Sequence, residues 1–355
     1  MNHKRIDYRV IPRFTHAIDG VLNRQSHYIK NKVQTFLAFT LFMGLVYGYS
    51  QNIPKLSETF RLQRLAPSKG KINVVIDTDT YNEIDDQFAV VYALLSPEQM
   101  KVEAIYAAPY LNNRSESPRD GMKKSYEEIL RLMGKLGINH EGLVYKGSED
   151  FLKNQNQPLQ SNATNDLITR ALASEGPLYV LTLGAPTNVA SAILLEPKII
   201  NKIVVVWLGG KGLNCKTASE FNLKQDLLSS QVLFDSGVPL VQLPTEPVTS
   251  HLQTTIPELE TYLKGQGPIG DYLIDIFKDY HKDHYAYSKI IWDISAIAYA
   301  VNPGWFQSEI RHTPILTDQL TYSFDNSRHF YRIVTFLHRD KIFGDMFRKI
   351  QQHHK

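Results

Sequence analysis

The sequence predicts an α/β fold, a single domain on an open, mostly parallel sheet with helices on both faces. Three observations predict it. Short Val- and Ile-rich runs alternate with longer segments of helical period from Lys71 onward. The runs are apolar throughout, as strands buried on both faces are. The order strand, helix, strand recurs, which is the order of parallel sheets with crossover helices.

Each element has its own signal. "INVVID" (72–77) is β-branched and short, a buried strand. "DDQFAVVYALLSPEQ" follows with helical spacing, and Pro97 ends it. "KVEAIYAA" (101–108) is the next strand, and "GMKKSYEEILRLMGKLG" (121–137) an amphipathic helix with a glycine stop. Strands follow at 177–184, 202–210 and 239–244, with helices at 186–197 and 226–237 between them. Residues 261–301 are expected to be largely helical, and 331–351 a strand followed by a last helix.

The chain has 355 residues, 43% hydrophobic and 21% charged, enough for a large core. Its formal charge of +3 is uneven: residues 1–50 hold seven Lys/Arg and two Asp/Glu, so the remainder is slightly acidic. With no basic stripe in the body, a nucleic-acid partner is not expected. Cys215 is the one cysteine, which excludes a disulfide framework and a cysteine metal cage.

The N-terminal segment has the pattern of a targeting sequence. Lys30 and Lys32 precede an apolar stretch at 36–49, and Gly48 and Ser50 have the spacing of a cleavage site before Gln51. The stretch suits a signal peptide better than a membrane span, which needs roughly 20 residues; an uncleaved anchor is the alternative. The expected division is an extension with signal peptide or anchor at 1–50, a linker at 51–70 and a catalytic domain at 71–355. Export to the periplasm or exterior follows, with membrane tethering if the anchor stays.

The chemistry is concentrated in "NVVIDTDTYNEIDDQFAVV". Asp77 and Asp79 follow the first strand, and Asp85 and Asp86 open the next helix, whose N-terminus favours anions. Open α/β sheets bind ligands beyond the C-terminal ends of their strands, where this cluster falls. Crowded carboxylates are compensated by protons or a cation. A hard divalent ion suits them, and calcium accepts more protein oxygens than magnesium does. Helix capping and solvated turn carboxylates are the plainer alternative. A phosphatase Asp-x-Asp motif would want Thr or Val where Tyr81 stands.

This pattern resembles the inosine/uridine-type nucleoside hydrolases, whose signature is Asp-x-Asp, a short turn, then Asp-Asp entering a helix. "VEAIYAAPYLNN", "LTLGAPTNVA" (181–190), "LGGKGLNCKTASEFN" (208–222) and "WDISAIA" (292–298) are similar to further segments of that family, in order, so the resemblance covers about 71–350. It implies one α/β domain with a Rossmann-like sheet, a bound Ca2+ and hydrolysis of the N-glycosidic bond of ribonucleosides to free base and ribose, for salvage. It assigns the metal to Asp79, Asp86, Asp293 and the backbone carbonyl of Leu183. It assigns sugar contacts to Asp85, Asn214, Glu220, Asn222 and either Asn112 or Asn113, with Asp77 in support. Asp79 is then the general base toward a water, and the reaction passes through an oxocarbenium-like sugar. The substrate partner is a small nucleoside, and a homo-oligomer is expected.

Two departures bear on the chemistry. The turn 80–84, "TYNEI", is two residues longer than the family's; a bulged surface turn is the expectation for Asn82 and Glu83, and projection into or around the site is the alternative. Trp292 stands where many purine-active members carry a leaving-group His. Trp292 can stack on a base but cannot protonate it, so His284, in "FKDYHKDHYAYSKIIWD" (277–293), is the candidate acid. Hydrolysis of another N-riboside, or nucleoside binding without catalysis, are the alternatives these departures leave.

Overall fold

The computed structural model describes residues 53–354; the expected signal peptide or anchor lies outside them. In chain order the elements are α1 (Glu58–Leu65), β1 (Ile72–Thr78), α2 (Asp85–Leu94), β2 (Met100–Ala107), α3 (Pro118–Leu136), β3 (Val144–Lys146), α4 (Asn162–Ala173), β4 (Leu178–Thr182), α5 (Thr187–Leu195), β5 (Ile203–Leu208), α6 (Phe221–Gln225), α7 (Leu227–Asp235) and β6 (Leu240–Leu243). Then come β7 (Gln253–Thr254), α8 (Ile256–Leu263), α9 (Gly267–Tyr280), β8 (Lys289–Ile290), α10 (Ile294–Val301), β9 (Phe306–His312), β10 (Ile315–Leu316), β11 (Tyr322–Ser323), β12 (Phe330–Leu337) and α11 (Arg339–His354).

Eight strands form the central sheet in the order β3-β2-β1-β4-β5-β6-β12-β9. All neighbours are parallel except β9, which runs antiparallel to β12 at the edge. The expected mostly parallel sheet is thus observed. The strand order turns back between β1 and β4, and a crevice opens there beyond the strand ends.

The apolar strands sit between two cores. Val74 and Ile76 pack with Phe88 and Val91 of α2 on one face, while Val75 packs with Leu167 and Val189 on the other. Alternate residues from Val74 to Ile76 therefore serve opposite layers, which leaves no polar position between the exposed Asn73 and Asp77. Helix α2 is buried along nearly its whole length between the sheet and α10, so its carboxylates are carried into the interior rather than to the surface.

Several segments differ from expectation. The 51–70 linker holds α1, capped by Ser57 and docked by Arg61, whose Nε donates to the Gly237 carbonyl at 3.1 Å; Leu65 is buried. Helix α3 starts earlier than expected because Ser117 caps it and Pro118 opens it. Within 261–301 the helices are broken at Gly265 and Gly267, both with positive φ, and again by an irregular stretch at 281–288. Helix α4, with its Ser161–Thr164 capping box, and the edge strand β9 were not foreseen.

Candidate active site

The polar residues begin where β1 ends. Asp77 is the last strand residue before Thr78, and its Oδ1 accepts from Asn188 Nδ2 at 2.8 Å on the first turn of α5. The chain then delivers Asp79, turns over 80–84 and enters α2 with Asp85 and Asp86 in its first turn. Neither carboxylate caps that helix: the N-cap is Ile84, without a side-chain bond. Instead Asp86 accepts from Thr78 Oγ1, and Asp85 Oδ2 accepts from the Trp292 N–H at 3.2 Å. Asp293 comes in at the head of α10.

Carboxylate oxygens of Asp85, Asp86 and Asp293 lie within 4.8 Å of one another, all buried. Asp79 borders the same cavity of about 330 Å3 with Asp85, Asp293, Leu183, Glu220, Asn222 and Trp292. Gly184 is required beside it, since a Cβ there would fall 2.8 Å from the Asp79 carboxyl carbon. Asn222 Nδ2 holds the carbonyls of Leu183 and Leu208 at 2.6 and 3.1 Å. Glu220 accepts backbone N–H bonds from Gly210, Asn222 and Leu223, which fixes it at the start of α6.

This concentration of charge is costly in a dry site. Burial pushes Asp77 up to about 7 against the Asn188 hydrogen bond. Burial raises Asp85 to about 6 despite the opposing pull of Lys289, and burial plus the Asp85 charge raises Asp86 to about 7. Asp79 and Asp293 rise well above the carboxylate range, through burial first and their acidic neighbours second. Asp77 Oδ2 and Asp79 Oδ2 are buried without a hydrogen-bond partner among the described residues. An all-oxygen set of crowded carboxylates, one with an orphaned oxygen, fits a hard divalent cation.

The sequence model described as inosine-uridine preferring nucleoside hydrolase matches residues 74–330. This chain belongs to that family. It is 25% identical over 286 residues to a probable uridine nucleosidase 2 of Arabidopsis thaliana, covering 72% of this chain and 87% of the relative. It is 26% identical over 237 residues to the pyrimidine-specific ribonucleoside hydrolase RihA of Escherichia coli, covering 59% of this chain and 72% of that one. In fold it resembles a purine-preferring ribonucleoside hydrolase from Gardnerella vaginalis, with a TM-score of 0.61 and 19% identity over 80% of this chain and 99% of the other. The protein is therefore a nucleoside N-ribohydrolase.

In this nucleoside hydrolase the expected site residues divide. Asp79, Asp85, Leu183, Glu220, Asn222, Trp292 and Asp293 line one cavity, and Asp86 adjoins it through the carboxylate cluster. Four others lie elsewhere. Asn112 bonds to Asn82, and with the exposed Asn113 it borders a neighbouring hollow of about 690 Å3, because the lengthened turn stands between them and the carboxylates. Asn214 is exposed on a turn closed by the Cys215 N–H to Gly212 carbonyl bond at 2.9 Å, and it faces another cavity. His284 sets Nε2 against the Lys278 carbonyl at 3.1 Å, where it caps the end of α9 beside Phe277 and Tyr287. It borders none of the described cavities.

Lys289 and Asn188 were passed over in the sequence, and the turn takes the less expected of its two readings. Asn82 is 8% exposed and lines the acidic cavity with Glu83, so the turn is part of the wall rather than a surface bulge. Lys289, 7% exposed, pairs with Glu83 from 206 positions away, a partnership no local spacing signals. Asn188, in the quoted "PTNVA" segment, orients Asp77. Lys211 and Lys224 also line the cavity.

Proposed function

We propose that this nucleoside hydrolase is calcium-dependent and releases ribose and free base from ribonucleosides. The observation that carries the reading is the cup of buried carboxylates at the switch point of the sheet, with Asp79 Oδ2 unpartnered. Asp79, Asp86, Asp293 and the Leu183 carbonyl would hold the ion, with Asp85 beside them. Bound calcium would supply hydroxyl coordination and a water of lowered pKa. Ionised Asp79 takes the proton from the attacking water. As the C1′–N bond breaks, positive charge builds on the sugar, and the surrounding carboxylates favour that charge in a site already shielded from solvent. Asp85, accepting from the Trp292 backbone, is oriented toward a ribose hydroxyl. Trp292 offers a stacking face to the base but no proton, so the leaving group is one that departs readily or is protonated from solvent.

The lengthened turn and Trp292 favour a second reading with the same bond broken in a different N-riboside. The proposed setting is an exported protein acting in salvage, as a homo-oligomer. Ribose release from inosine, uridine and nicotinamide riboside, with calcium and after chelation, tests the proposal. Calcium-dependent release from inosine or uridine is expected. Release that survives thorough chelation would refute the metal's role, and release from nicotinamide riboside alone would select the second reading.

A further inference from the structure

We propose that Asn82 is a further substrate-binding residue of this hydrolase: its carboxamide nitrogen donates a hydrogen bond to a ribosyl hydroxyl, and Asn112 is the positioning residue that aims it. The inference rests on the ribonucleoside reading above.

The orientation of both amides follows from a chain of hydrogen bonds. The Arg114 N–H donates to Asn112 Oδ1 at 2.8 Å. With that oxygen engaged, the Asn112 amide presents its Nδ2 to Asn82, where it donates to Oδ1 at 2.6 Å and to the backbone carbonyl at 3.1 Å. Asn82 must therefore show its oxygen to Asn112, and its Nδ2 points elsewhere. That Nδ2 has no hydrogen-bond partner among the described residues, although the side chain is more than nine-tenths buried and borders the acidic cavity. The nitrogen is not sealed off: it meets the solvent of the cavity, where a substrate hydroxyl can take the place of water.

The turn that carries Asn82 is held on both sides. The Asn82 N–H donates to the Asp79 carbonyl at 2.7 Å, and Arg114 Nη1 donates to the Glu83 carbonyl at 2.7 Å. The Arg114 guanidinium lies 4.3 Å from the centre of the Tyr81 ring, and Glu83 pairs with Lys289. Asn82 is thus preorganised rather than loose.

The chemistry of the cavity states what this donor is for. Asp79, Asp85, Asp293 and the Leu183 carbonyl offer only acceptors; the donors on the lining include the Ser219 hydroxyl and two cations, Lys224 and Lys211, the latter engaged by Glu246 at 2.9 Å. A sugar hydroxyl that gives its proton to a carboxylate still needs a donor on its oxygen. The neutral Asn82 amide supplies one without adding charge beside a developing cation. The two extra residues of the turn thereby place an asparagine where the second-strand asparagines do not reach.

The test is kcat/KM for wild type, Asn82→Ala, Asn82→Asp and Asn112→Ala on the best ribonucleoside and on its 2′-, 3′- and 5′-deoxy analogues, with melting temperature and calcium affinity as controls. Asn82→Ala should lose about 10-fold on the ribonucleoside and nothing further on the one analogue that lacks the bonded hydroxyl. Asn82→Asp keeps the acceptor for Asn112, replaces the donor, and should lose at least as much. Asn112→Ala should lose less, and its effect should largely vanish in the Asn82→Ala background. An unaffected Asn82→Ala in an active enzyme, or an equal loss on all four substrates, would overturn this proposal alone. Wild-type protein that neither hydrolyses nor binds any ribonucleoside in calcium would overturn the ribonucleoside reading together with it.

Discussion

Two hollows lie side by side and share Glu246, and they differ in kind. The larger, about 1050 Å3, runs between the Asn214 turn, the chain around Val248, and strands β9 and β12. Charges on its walls have partners at hand: Arg311 pairs with Glu309, Glu246 with Lys211, and Asp325 accepts from Ser327. The smaller, about 330 Å3, is lined by carboxylates that burial has pushed toward protonation, and it holds an orphaned oxygen. Volume marks room. Unsatisfied groups mark a place where something else is meant to bind.

That contrast can be broken most sharply by substitution. Asp79→Ala, Asp86→Asn and Asp293→Asn should each lower kcat/KM by roughly 10³-fold or more, with the fold retained by circular dichroism. Asn214→Ala and His284→Ala should leave steady-state rates within about twofold, as surface changes away from a site do. A comparable loss in Asn214→Ala would move the sugar site toward the larger hollow.

A smaller change sharpens the picture. Gly184→Ala would push a methyl group into the Asp79 carboxyl, so a loss of about 10²-fold is expected from misplacement alone. Retention of full activity would show that the Asp79 position is not critical.

Titration offers a subtler measurement. The native carboxylates at Asp77, Asp85 and Asp86 have pKa values raised to about 7, 6 and 7, above their unfolded values. The folded state thus binds more protons than the unfolded chain between about pH 4 and 7. Metal-free protein should lose melting temperature as pH rises through that window, since the sign is that of a raised carboxylate. Calcium affinity should climb over the same range, because ligands must be ionised. Melting curves from pH 5 to 8, with and without calcium, read both trends; a metal-free melting temperature that rises with pH would contradict the burial argument. The smallest effect on turnover belongs to Lys289→Met, which removes the buried partner of the half-exposed Glu83 and should lower stability and raise KM by loosening the turn, as measured by denaturation and steady-state kinetics.

Much of the sheet was legible because each central strand is buried on both faces and so must be written in Val, Ile and Leu. Asp79, Asp85, Asp86 and Asp293 were legible because acids directly after such strands, or at a helix entry, have few structural uses. What escaped depended on distance. Asn112 and Asn214 fit their motifs by spacing, but a turn two residues longer and an outward loop decide what they reach. His284 and Lys289 sit a few residues apart, one spent on a helix end and the other on Glu83, and only packing separates their fates. Strand β9, with alternating exposure at an edge, lacks the continuous apolar run that marks its neighbours.

Helix α1 gives the molecule a back and a front. It is fastened near the N-terminal ends of β6 and β12, through Arg61 to the Gly237 carbonyl, the Phe330 N–H to Glu58, and Arg332 to the Leu65 carbonyl. The carboxylates open at the opposite ends of the strands. The described chain therefore begins at the rear. A substrate entering at the mouth never meets α1, and changes to that helix act on the stability of the sheet rather than on access.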